Sequence, residues 1–146
     1  LDGDVRLRFR AAGQSMRPAI RDGDIVHVEA CGPHDLTLGA IVFFRASPEK
    51  AVLHRIVRLE RTGPDLWLWT RGDACTRRDA PIQAGQVVGR VAAVERGGRL
   101  IRCDTPVSRW LGLIRGTGWL GRVRIRRRVS AVLARQPDRC GQALDE

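Results

Sequence analysis

Tyrosine and asparagine are absent from these 146 residues, aromatics reach only 5%, and Lys50 is the single lysine against 25 arginines. We read that skew mainly as coding bias. No uncharged apolar run approaches the roughly 18 residues that a spanning helix needs, so no segment of this sequence crosses a bilayer. The four cysteines, Cys31, Cys75, Cys103 and Cys140, include no CxxC pair and no Cys/His cluster at ligand spacing. No structural zinc site is expected from that spacing, and no other metal or organic cofactor is expected either. A chain of this size does not need disulfide staples, so unpaired or buried thiols are expected and the redox compartment stays open. Neither a helix-turn-helix nor a set of stacking aromatics is visible, which argues against a nucleic-acid reader despite the charge. Internal repeats and low-complexity segments are also missing. The first residue is Leu1 and not Met, from which we expect a longer natural chain.

What is present is a single domain's worth of apolar residues, 43% of the chain, with a formal charge of +10 and a pI near 11.3. The charge is uneven. Residues 1–104 carry 17 basic and 13 acidic groups, residues 105–137 carry eight Arg and no acid, and residues 138–146 carry one Arg against three acids. Three parts follow: 1–104, a basic stretch 105–137, and an acidic tail 138–146.

The first part reads as strands. Val5, Leu7, Phe9 and Ala11 alternate with Arg6, Arg8 and Arg10, the period of a half-buried strand. Further runs rich in Val, Ile, Leu or Trp occupy 25–30, 40–45, 51–60, 66–71, 86–95 and 99–103. Gly, Pro and Asp clusters punctuate them. About seven short strands with no long helical pattern predict a mainly β domain. Beyond Pro106, apolar residues fall at three- and four-residue intervals among arginines, which predicts one or two amphipathic helices broken near Gly116 and stopped by Pro137. The alternation over 122–126 leaves a strand there as an alternative.

Four features stand in order along the β part: Gly13-Gln14-Ser15-Met16-Arg17-Pro18 followed by Asp22-Gly23-Asp24, then Gly39-Ala40-Ile41-Val42-Phe43-Phe44, then His54-Arg55-Ile56, then Arg71-Gly72-Asp73 with Asp79. Ser15 lies where regular helix is excluded, because Gly13 permits unusual dihedrals and Pro18 pushes Arg17 towards extended geometry. Such a turn can expose a hydroxyl while the apolar Met16 anchors the loop. A hydroxyl needs an adjacent base to become a nucleophile, and the candidates are His27, His34, His54 and Lys50. His54 shares a strand face with Val52 and Ile56, and either Asp73 or Asp79 could hold its ring in the correct tautomer. Taken singly, each residue has an ordinary explanation: a turn serine, a core histidine, a turn Gly-Asp, a solvated lysine. The ordered set points to serine chemistry.

That set resembles the signal peptidase I superfamily, whose members include the LexA-like self-cleaving repressors. Ser15-Met16-x-Pro18 with Asp22-Gly23-Asp24 is similar to the nucleophile box, residues 39–43 to the next strand, His54-Arg55-Ile56 to the base box, and Gly72-Asp73 with Asp79 to the acidic box. The resemblance covers roughly residues 7–95. A His at the base position is similar to the endoplasmic-reticulum and archaeal type, whereas the bacterial type and the repressors carry Lys. It implies a folded β-sheet catalytic core with a short helical basic segment behind it. Ser15 would be the nucleophile, His54 the general base, Asp79 the orienting acid and Asp73 a second carboxylate nearby. The substrate implied is a signal or leader peptide with small residues before the cleaved bond, held beside an edge strand. Gly13 stands where the family commonly has Ser, so the oxyanion hole would rest on backbone N–H groups, including that of Ser15. Two other functions remain open, a non-catalytic peptide-binding module and a self-cleaving regulator. The arginines Arg109, Arg115, Arg122, Arg124, Arg126, Arg127 and Arg128, with Trp110 and Trp119, predict attraction to anionic membrane surfaces. The expected location is therefore membrane-associated or cytoplasmic.

Overall fold

A computed structural model describes residues 6–116. They build one antiparallel sheet of eight strands: β1 (Arg6–Arg10), β2 (Ile25–Glu29), β3 (Ile41–Ser47), β4 (Lys50–Thr62), β5 (Asp65–Arg71), β6 (Ile82–Gln83), β7 (Val87–Arg96) and β8 (Arg99–Arg102). One helix, α1 (Pro106–Gly116), follows them. The spatial order is β1-β2-β7-β3-β4-β5-β6, and β8 pairs with the far end of β7, on the edge opposite β2.

Every expected run forms a strand, because alternation along a pleated chain sorts side chains onto two faces. On β3 this sorting feeds two cores. Ile41 and Phe43 join Met16, Val26, Leu53 and Val94 in one, while Val42 and Phe44 join Ile56, Leu68 and Ile82 in the other. The eighth strand, β6, is only two residues long and carries no periodicity to read in advance. β4 extends to Thr62, two residues beyond the expected run, through the hairpin in which Thr62 faces Asp65.

The chain passes from β8 to α1 at Thr105. Its hydroxyl accepts the Ser108 N–H at 3.3 Å, and Pro106 takes the first helical position, where no N–H is needed. Helix α1 matches the first expected helix and ends at the expected glycine. The second helix, the alternative strand over 122–126, the acidic tail and Arg122, Arg124, Arg126, Arg127 and Arg128 lie outside the described residues. Among the described residues no helix is long and apolar enough to cross a membrane.

Cys31 and Cys103 are free thiols, as expected. Burial pushes the Cys103 thiol up to about 11, which keeps it protonated and inert. Cys75 departs from the expectation, since it is disulfide-bonded.

Candidate active site

Ser15 belongs to the long connection between β1 and β2, which register pairs as Arg10 with Ile25. Backbone bonds from Ala11 N–H to Asp24 O at 2.7 Å and from Gly23 N–H to Ala11 O at 2.8 Å close its neck. Gly13 takes φ +94°, a left-handed value that favours glycine, and its N–H donates to Asp22 Oδ1 at 2.9 Å. The chain then turns tightly, Arg17 N–H to Gln14 O at 3.2 Å, and drives Met16 into the core at 4% exposure. Ser15 is left half-buried on the outside of that turn. Met16 therefore acts as the anchor that its apolar character predicts.

A second clamp holds the same loop from β7. Arg96 donates to both carboxylate oxygens of buried Asp24, the shortest bond being 2.6 Å, and to Ala19 O at 3.0 Å. The Arg96 guanidinium holds the Asp24 carboxyl below the ordinary carboxylate range, more than offsetting the upward push of burial.

His54 stands on β4 opposite Val42 of β3 and is 2% exposed. Its Nε2 lies 3.2 Å from Ser15 Oγ, and its Nδ1 lies 2.5 Å from Asp79 Oδ2. The carboxylate can only accept from Nδ1, so the proton sits there and the Nε2 lone pair faces the serine hydroxyl. That is the tautomer a general base requires. Asp79 is itself fixed by the fully buried Thr70, whose Oγ1 donates to the same oxygen at 2.6 Å, and by the bond from Asp79 N–H to Thr70 O at 2.8 Å.

Ser15, His54 and Asp79 are thus joined, and Asp73 is not joined to them. Its carboxylate forms a two-pronged pair with Arg55, at 2.7 Å to Nε and 2.6 Å to Nη2, with both side chains 3% exposed. Arg55 also donates to Gly39 O at 2.7 Å. The expectation that either acid could orient His54 is corrected accordingly: the bidentate fork of the neighbouring arginine takes Asp73 away. The other candidate bases lie elsewhere. His27 pairs with Glu95 at 2.6 Å, and His34 is exposed in a short 3-10 turn. Lys50 opens β4 and is not a loop residue. Four residues from His54 along an extended strand, it is on the order of 13 Å away at about 3.3 Å per residue.

Gly72 brings the serine and acid loops together. A Cβ there would stand 2.6 Å from Ser15 O, 2.7 Å from Cys75 Sγ and 3.1 Å from His54 Nε2. Beside it, Ala74 N–H donates to Ser15 O at 2.8 Å. The site thus needs a residue without a side chain at 72. Arg55 and Gly72 stood inside the quoted motifs without a role of their own, and Thr70 and Arg96 were missed as site residues. Of these last two only Thr70 left a trace, as a polar residue in phase with Leu66 and Leu68 on the inward face of β5.

Two features border the three joined side chains. Residues 50–54 of β4 pair with β3, but pairing with β5 begins only at Arg55, so this stretch has one unpaired side among the described residues. A cleft of about 190 Å³ lies against His54 and Asp79, walled by Phe44, Val52, Ala80, Pro81 and Ile82. Among the described residues no cluster of His, Cys, Asp and Glu is arranged to hold a metal ion. No family model matches the chain, and no curated protein matches it.

Proposed function

We propose that the chain is a serine endopeptidase of the signal-peptidase type, acting through Ser15, His54 and Asp79 on a leader or signal peptide of a precursor. The observation that carries this reading is the unbroken line Asp79 Oδ2, His54 Nδ1, His54 Nε2, Ser15 Oγ, at 2.5 and 3.2 Å. A turn serine or a core histidine with an ordinary role does not require the tautomer that this line imposes.

The chemistry follows from the geometry. Ser15 Oγ attacks the peptide carbonyl while its proton passes to His54 Nε2, and Asp79 stabilises the imidazolium that forms. The tetrahedral oxyanion is met by backbone N–H groups, Ser15's among them. The Gly13 N–H is already engaged by Asp22 and Gly13 has no hydroxyl to add. The amine leaves with the proton from His54, and water, activated in turn by His54, releases the acyl group. An extended substrate fits the unpaired side of 50–54 by adding as a strand, which runs it towards His54. The reading also favours a membrane-surface location. Val107 and Trp110 of α1 are 67% and 64% exposed, a placement suited to an interface. Arg109 stands on the same helix, with its Cβ against Gly39 and its Nε buried.

Digestion of a random peptide library, read by mass spectrometry, tests the reading. Discrete cleavages by the wild type that vanish in Ser15→Ala are expected. Identical products from both proteins would defeat it, and binding without cleavage would favour a non-catalytic module. Processing of the chain itself, with library peptides untouched, would favour a self-cleaving regulator.

A further inference from the structure

We infer that the cleft beside His54 and Asp79 is a specificity subsite for a bulky apolar side chain, leucine- to phenylalanine-sized, of the bound peptide. The inference rests on the peptidase reading and goes beyond it. Phe44 and Val52 are register partners on β3 and β4, so their side chains share a face. Val52 and His54 share that face too, two residues apart. A peptide strand added along 50–54 therefore turns the residue opposite Val52 into the cleft. The flanking residues of the peptide turn the other way, where Leu53 is already packed with Phe43 in the first core.

The size and chemistry of the cleft select the occupant. An apolar cavity of about 150 Å³ accepts benzene; this one measures about 190 Å³ and has Phe44, Val52, Ala80, Pro81 and Ile82 for walls. A glycine or alanine side chain would leave that apolar wall wet. Lys50 and Gln86 are also among the lining residues, and the Gln86 amide is already engaged, donating to Arg45 O at 3.1 Å and accepting the Gln83 N–H at 2.9 Å. Ala46 lines its rim, and His54 and Asp79, which complete the lining, tie occupancy of the cleft directly to the reacting centre.

Two measurements test this, one independent of cleavage. In Ser15→Ala protein, N-acetyl-leucinamide should shift the methyl resonances of Val52 and Ile82 on titration, while N-acetyl-glycinamide should not. Equal shifts from both compounds, or none from either, would overturn the inference even if the protein cleaves peptides. With positionally varied peptides and the wild type, one position should favour Leu, Ile or Phe over Gly by about 10²-fold in kcat/KM. Ala46→Trp, which fills the cleft from its exposed rim, should cut that ratio to a few-fold. A ratio near one in the wild type, or one unchanged in Ala46→Trp, contradicts the inference. Leucinamide shifts in a protein that cleaves nothing would instead uphold the cleft and defeat the peptidase reading.

Discussion

Single residues divide the two carboxylates into different tasks, and their variants should fail in different ways. Asp79→Asn keeps the shape but lets an amide hold the wrong tautomer of His54, so we expect peptide cleavage to fall by about 10³- to 10⁴-fold with little change in melting. Asp73→Asn leaves the buried Arg55 guanidinium without its counter-charge, and breaking such a pair costs about 3–5 kcal/mol of stability. Its signature should be a lowered melting temperature, with cleavage per folded molecule falling far less than in Asp79→Asn. Thr70→Val removes one hydrogen bond to Asp79, a change of about 1 kcal/mol, or roughly fivefold in rate. Initial rates alongside thermal melts for the three variants check this ordering; an Asp73→Asn protein that melts normally yet is inactive would transfer the orienting role. Chain spacing alone could not make the distinction. Asp73 and Asp79 follow the same strand, and only Arg55, beside His54 on β4, reveals which one is taken.

At the scale of elements, the β1–β2 loop carries Ser15, and β7 and the Gly72 turn hold that loop in place. Arg96 and Asp24 are 72 residues apart, so no reading of local pattern could pair them. Arg96→Gln should cost about 2–3 kcal/mol, below the fully buried case because Arg96 keeps 26% of its side chain exposed. The sign of its pH dependence follows from the lowered pKa of Asp24. The folded-state value lies beneath the ordinary 3.8, so the stabilisation is complete above about pH 4 and fades as pH falls through the lowered value. Denaturant titrations from pH 2 to 6 should show wild type and Arg96→Gln converging in acid; a constant gap would contradict the clamp. Gly72→Ala should force the serine and acid loops apart. We expect a loss of about 1–3 kcal/mol together with slower cleavage, because the added carbon meets Ser15 O and His54 Nε2.

Across the whole molecule, the strands were legible because both cores impose a period of two on nearly every run. Where that pressure lapses, legibility lapses with it: β6 is too short to alternate, and the cleft arises only where Phe44, Val52 and Ile82 meet from three strands. The order of Ser15, His54 and Asp79 along the chain was readable; their convergence depended on β4 passing behind the serine turn. The exposed face of α1 offers a test at this scale. Replacing both Val107 and Trp110 by Ser should weaken sedimentation with anionic vesicles several-fold, and adding salt should weaken it further if the arginines contribute. Unchanged sedimentation would remove α1 from any membrane contact.

The central claim is that Ser15 is a nucleophile activated by His54. A pool of peptidyl boronates with varied acyl-side residues tests it most directly, because boron that accepts Ser15 Oγ becomes tetrahedral and mimics the intermediate. Boron NMR should show a tetrahedral signal with the wild type, none with Ser15→Ala, and a much weaker one with His54→Ala. His54→Ala should also slow peptide cleavage by at least about 10³-fold. Wild-type protein that leaves every boronate trigonal, or a tetrahedral signal that persists in Ser15→Ala, would contradict the account.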